Sequence, residues 1–152
     1  MPSDFSVTGD DVDSVAAWTV IRAARELARR LAEELAPLDL TPVEFGALVQ
    51  LASGGERNQA ELARAVGVRP QSMAALMGGL ETRGLVERGA APGRGRASRL
   101  RLTRDGRELL ADAWPRVRVS NAWFGDDVDG LVAALRPFTT DGSINAAVDG
   151  VV

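Results

Sequence analysis

The 152-residue chain has room for one compact domain, or for two small sub-domains sharing a core, and its 45% hydrophobic and 26% charged residues are ordinary globular proportions. Cysteine and histidine are both absent, which excludes disulfide scaffolds, thiol nucleophiles, thiol-oxidation sensing, Cys/His zinc sites and histidine acid/base chemistry. The net charge of −3 conceals three blocks: four arginines against nine acids up to Gly55, eleven against six from Glu56 to Glu108, and three against six beyond. A basic middle between acidic ends predicts a localised polyanion-binding face. Every basic residue is arginine, which suits phosphate and guanine contacts, although a GC-rich genome favours the same bias.

The longest uncharged stretches, Phe45–Gly55 and Pro70–Leu80, are 11 residues each, short of the roughly 20 needed to span a bilayer. The acidic N-terminus does not resemble a secretory signal. Both features predict a soluble, cytoplasmic protein with no membrane partner. Residues 1–12 are polar, acidic and aperiodic, and read as a flexible lead-in. From Asp13 to Leu35, Val15, Trp18, Ile21, Ala24, Leu27 or Ala28, Leu31 and Leu35 recur at helical spacing, an apolar stripe that needs a partner surface. Thr41-Pro42-Val43-Glu44 is a capping box with proline at the first helical position, and opens a helix through Leu51 that Gly54-Gly55 stops.

Asn58-Gln59-Ala60-Glu61 opens the next helix in the same manner, and Gly67 ends it in a tight turn. Pro70 starts a further helix with Met73, Leu76, Met77 and Leu80 on its inner face. Leu85–Arg88 and Ser98–Leu102 read as short strands around a Gly-rich basic loop. Thr103 caps a helix through Trp114, in which Pro115 predicts a kink, and a last helix covers about residues 126–136. Beyond it Ile144, Ala147 or Val148, and Val151 also recur at helical spacing. The predicted class is mainly α with a small β-wing: a winged helix-turn-helix lobe plus a helical dimerisation region.

The segment from Leu40 to Gly106 resembles the MarR family of bacterial transcriptional regulators. The matching residues are Gln59-Ala-Glu-Leu-Ala63, Gly67-Val68, Leu80-Glu-Thr-Arg-Gly-Leu-Val86 and Arg96 with Leu102-Thr103. Each motif is short, and their order and spacing carry the match. The resemblance implies a dimerisation helix over 13–37, a DNA-binding lobe over 40–103 and C-terminal helices over 104–152 completing the dimerisation region. It also implies a homodimer on a pseudo-palindromic double-stranded operator, a small aromatic ligand that releases it, and no cofactor.

The outward face of the Pro70 helix is the candidate reader of sequence. Gln71 can pair adenine, Ser72 can bond bases or phosphate, and Ala75 can touch a thymine methyl. Asn58, Gln59, Arg69 and Pro70 flank that face, and Arg94, Arg96 and Arg99 supply the wing. In the family, an arginine seven residues before the Leu-Thr threonine enters the minor groove, which here is Arg96. The aspartate usual two residues earlier is replaced by Arg94, and Gly78-Gly79 stand where the family often has an acidic–basic pair. Arg94-Gly95-Arg96 is not a dinucleotide loop, because its glycine pattern is incomplete.

Trp18, Phe45 and Trp114 are candidate effector contacts, with Trp123 a further aromatic; core or interface packing explains the tryptophans as well. Arg22 either pairs an effector carboxylate or bridges to Glu26 one turn on. Asp126, Asp127 and Asp129 read as acids complementing a helix N-terminus rather than as metal ligands. With no His, Cys or Lys and no paired carboxylates, the chain does not read as an enzyme. The competing reading is a winged-helix interaction module without sequence-specific DNA binding.

Overall fold

The computed structural model describes residues 5–89 and 98–139. Its helices are α1 (Gly9–Asp13), α2 (Ala16–Leu35), α3 (Pro42–Gly54), α4 (Gln59–Val66), α5 (Pro70–Thr82), α6 (Arg104–Val119) and α7 (Val128–Leu135). Strands β1 (Val86–Arg88) and β2 (Leu100–Leu102) pair antiparallel, with Val86 opposite Leu102 and Arg88 opposite Leu100. Single 3₁₀ turns at Ala36–Leu38, Ser120–Phe124 and Arg136–Phe138 close α2, α6 and α7. Among the described residues no helix is long and apolar enough to cross a membrane.

Local chemistry sets the boundaries. Thr41 and Asn58 form complete capping boxes with Glu44 and Glu61, each satisfying two otherwise orphaned amides at a helix start. Thr103 accepts from the Gly106 amide at 3.0 Å and donates to the Gly84 carbonyl at 2.6 Å, so it starts α6 while tying it to the end of the α5 turn. The segment read as an aperiodic lead-in contains α1, whose start is a capping box between Thr8 and Asp11. The Thr-x-x-Asp pattern was the signal for it. Pro115 lies within α6, which continues to Val119, so the proline does not end the helix.

One core holds the lobe together. Leu48, Leu62, Met73, Met77, Leu80 and Leu100 are fully buried where α3, α4, α5 and the wing meet, and Leu35 and Ala113 bring α2 and α6 onto it. Met73, Met77 and Leu80 form the inner face of α5 as the spacing predicts, with Leu76 packed at its margin. The stripe of α2 behaves differently along its length. Leu35 is buried and Leu31 packs on the core, but Trp18 and Ile21 are 43% and 47% exposed. Val119, Val132 and Phe138 are also exposed, and α7 packs chiefly on the turn that follows it. The upper half of α2 and the C-terminal helix therefore present apolar surface that a single copy of the chain leaves uncovered.

Candidate nucleic-acid interface and adjoining cleft

α4 and α5 are joined by a turn that depends on Gly67, whose φ of 74° is left-handed. Its amide and that of Val68 return to carbonyls of α4, so the chain reverses without a strained side-chain-bearing residue. Arg69 then takes the N-cap position of α5, with Pro70 at the first helical position. No side chain caps this helix, in contrast to the boxes on α3 and α4. The amides of Gln71 and Ser72 lack a side-chain acceptor, and they sit at the positive end of the helix dipole. Arg69, Gln71, Ser72 and Ala75 are all exposed there, and the Arg69 side chain has no hydrogen bond or ion pair among the described residues. Amide donors, a dipole and an unengaged guanidinium on one exposed surface form a site for a phosphate backbone beside base edges.

The other predicted contacts are more constrained. Asn58 is half-buried, and its Oδ1 accepts from the Glu61 amide at 2.9 Å, so that oxygen is occupied in holding α4. Gln59 is also half-buried. Arg99 is exposed, but its Nη1 donates to the Glu56 carbonyl at 3.1 Å, which anchors the wing stem to the segment before α4. Two further stem cations are paired, Arg88 with Glu81 at 2.8 Å and Arg101 with Glu87 at 2.9 Å. Arg94 and Arg96 lie outside the described residues.

Of the four predicted effector contacts, Phe45 and Trp114 come together and Arg22 is engaged elsewhere. Phe45 and Trp114 stack at 6.2 Å between ring centroids with 24° between their planes. Arg22 does not bridge to Glu26: its Nη1 donates to the Asp13 carboxylate at 2.8 Å, and the Thr19 hydroxyl donates to the Asp13 carbonyl at 3.2 Å. Glu26 is held instead by Arg29 and Arg30, whose hydrogen bonds lower its carboxyl to about 2. Trp123 lies beneath the Arg30 guanidinium, 6.0 Å from its ring centroid.

Trp114 instead borders a cleft of about 610 Å³ between α3 and α6, lined mainly by Val49, Ala52, Leu110 and Pro115 with Arg107 as its charged member. Trp18 does not line it. Arg107 is tethered through Nη1 to the Leu102 carbonyl at 3.1 Å. Nothing local in Arg104-Asp-Gly-Arg107 shows that this arginine and Trp114, two turns on, flank one opening. Pro115 has no N–H to give the Ala111 carbonyl, so the α6 wall also carries an acceptor without its usual donor.

Comparisons with known proteins agree with this architecture. The MarR family model matches residues 38–97. The HTH-type transcriptional repressor Rv2887 of Mycobacterium tuberculosis is 34% identical over 110 residues, covering 72% of this chain and 79% of its own length. A structure of that protein with salicylic acid superposes with a TM-score of 0.61 at 34% identity, covering 72% of this chain and 82% of that one. The repressor CouR, known from Rhodococcus jostii RHA1, bound to a 23-mer DNA duplex gives a TM-score of 0.77 at 27% identity, covering 90% of this chain and all of that one.

Proposed function

The chain belongs to the MarR family of transcriptional regulators, and from that premise we propose that it is a homodimeric repressor, a binding protein rather than an enzyme. It holds a pseudo-palindromic operator and leaves it when a small aromatic acid enters the cleft beside Trp114. The observation that carries the DNA contact is the start of α5, uncapped and exposed, with Arg69 unengaged and Gln71, Ser72 and Ala75 facing outward. Residues 40–103 are the DNA lobe. Residues 13–37 and 104–152 supply the dimer contacts, and the exposed apolar residues of α2, α6 and α7 are the surface they use.

The DNA-bound CouR relative supports a DNA duplex as the partner, and the salicylic acid complex of Rv2887 supports an aromatic acid as the ligand class. In the cleft, the Trp114 face offers a stacking surface and Arg107 a donor for a carboxylate. A footprint on the intergenic DNA upstream of the chain's own coding region, with and without salicylate-like acids, tests the proposal. Protection of two half-sites about 10–10.5 base pairs apart, relieved by the acid, is the expected result. Equal binding to every duplex would favour the interaction-module reading instead.

A further inference from the structure

Arg83 stands immediately after α5, at its C-cap, and its side chain leaves the helix for a distant part of the chain. Its Nη2 donates to the Asp39 carbonyl at 2.7 Å, across 44 residues of sequence, and its Nη1 lies 3.5 Å from the Glu44 carboxylate. The Asp39 carboxylate is farther, at 3.8 Å, and almost fully exposed. Glu44 is well covered and already fixed by its bond to the Thr41 amide, so the guanidinium meets a rigid partner.

The place where it lands gives the contact its consequence. Asp39 closes the turn between α2 and α3, and with φ at 52° it is the one non-glycine among the described residues in the left-handed region. It is the joint at which the dimerisation helix becomes the DNA lobe. α5 packs chiefly on α4 and β1, and a cleft of about 500 Å³, lined by Ala32, Ala36 and Leu40 among others, opens beside the joint. Arg83 is the side chain that reaches from the end of α5 to the joint, with a fork geometry that holds two acceptors at once.

We propose that Arg83 is a positioning residue for operator recognition: it ties the end of α5 to the joint between α2 and α3, and so sets the half-site spacing that the dimer accepts. The inference rests on the DNA-binding reading above. A dimer reads two half-sites only when its recognition helices stand one helical turn apart. A joint free to swing must be ordered during binding, which weakens the complex on the correct spacing and relaxes rejection of wrong ones.

The test measures affinity for the footprinted operator, for versions with one or two base pairs added to or removed from the spacer, and for random duplex. Arg83→Ala is expected to lose about tenfold on the native spacing, as for a lost charge-assisted hydrogen bond. It should change random-duplex binding by less than about twofold and flatten the dependence on spacing. Arg83→Met keeps the aliphatic stem, removes every donor, and decides the matter if the alanine variant does not fold. Asp39→Gly keeps both the carbonyl and the left-handed backbone, and should leave the spacing profile of the wild type intact. A wild-type spacing profile in Arg83→Met overturns the proposal. So does an equal loss on operator and random duplex with a shallower salt slope, which would make Arg83 a phosphate contact. If the wild-type protein itself shows no preference for any operator, the DNA-binding reading fails and takes this proposal with it.

Discussion

Replacing Gly106 by alanine tests how closely α6 is seated on the wing. A Cβ at this position would lie 2.1 Å from the Leu85 carbonyl oxygen and 3.1 Å from a Leu102 methyl. The first distance is more than about 1 Å inside ordinary contact, and the obstructing atom is backbone rather than a mobile side-chain end. That carbonyl also accepts from the Thr103 amide at 3.1 Å, so moving the first turn of α6 away loosens the bond that docks it. Overpacking of this kind costs up to about 3 kcal/mol, while alanine returns up to about 1 kcal/mol of helix propensity. The net expectation is a loss of about 2 kcal/mol, or roughly 4–8 °C in Tm for a chain of this size. Thermal melts at fixed protein concentration measure it, since a dimer's midpoint shifts with concentration. A midpoint equal to or above the wild type would show that α6 is not held against Leu85 in this way.

Gly78→Ala and Gly79→Ala should have the opposite sign, each stabilising by up to about 1 kcal/mol in urea unfolding, because a Cβ at either position meets nothing within 4 Å. Asn58→Ala removes the acceptor for the Glu61 amide and should cost about 1 kcal/mol by the same assay. Gln71→Ala should cost roughly 1–3 kcal/mol on the operator and little on random DNA, whereas Arg69→Ala should weaken both and lower the salt slope by about one; fluorescence anisotropy across salt concentrations separates them. Because the Glu26 carboxyl is lowered to about 2 by hydrogen bonds from Arg29 and Arg30, its contribution to α2 is fully present above the unfolded-state pKa and is lost as pH falls through about 2. An NMR titration placing Glu26 at the ordinary glutamate value would contradict those bonds.

Short-range chemistry was the readable part of this sequence. Thr41, Asn58 and Thr103 cap their helices as their spacing to the following turn requires, and Gly67 adopts the left-handed turn its position demands. The buried face of α5 followed from periodicity alone. Arginine partners did not follow, because a long flexible side chain chooses among acceptors that only the tertiary fold assembles. Arg22 faces Asp13, the last residue of α1, instead of Glu26. Arg99 reaches the Glu56 carbonyl, 43 residues away, and Arg107 reaches the Leu102 carbonyl at the margin of the cleft. A backbone carbonyl has no signature in sequence, so neither contact could be read in advance. The stacking of Phe45 on Trp114 and the seat of Trp123 beneath Arg30 were hidden for a related reason: spacing along a helix does not show which aromatic residues share a surface.

The isolated bridge between Arg57 and Leu100 has a bearing on motion. The Arg57 amide donates to the Leu100 carbonyl at 3.1 Å and the Leu100 amide to the Arg57 carbonyl at 2.8 Å, which makes the residue before Asn58 a short third strand of the wing. The inner strand of the hairpin is thereby stitched to the residue before the α4 N-cap, so it cannot peel away without breaking both of those bonds. In hydrogen exchange, the Leu100 amide should therefore open together with the helix-turn-helix as one cooperative unit, more slowly than the amides of β1 that face no third strand. A pull on the wing by the sugar–phosphate backbone would be delivered along β2 to the first turn of α4, giving the hairpin a direct mechanical grip on the pair of helices beside it.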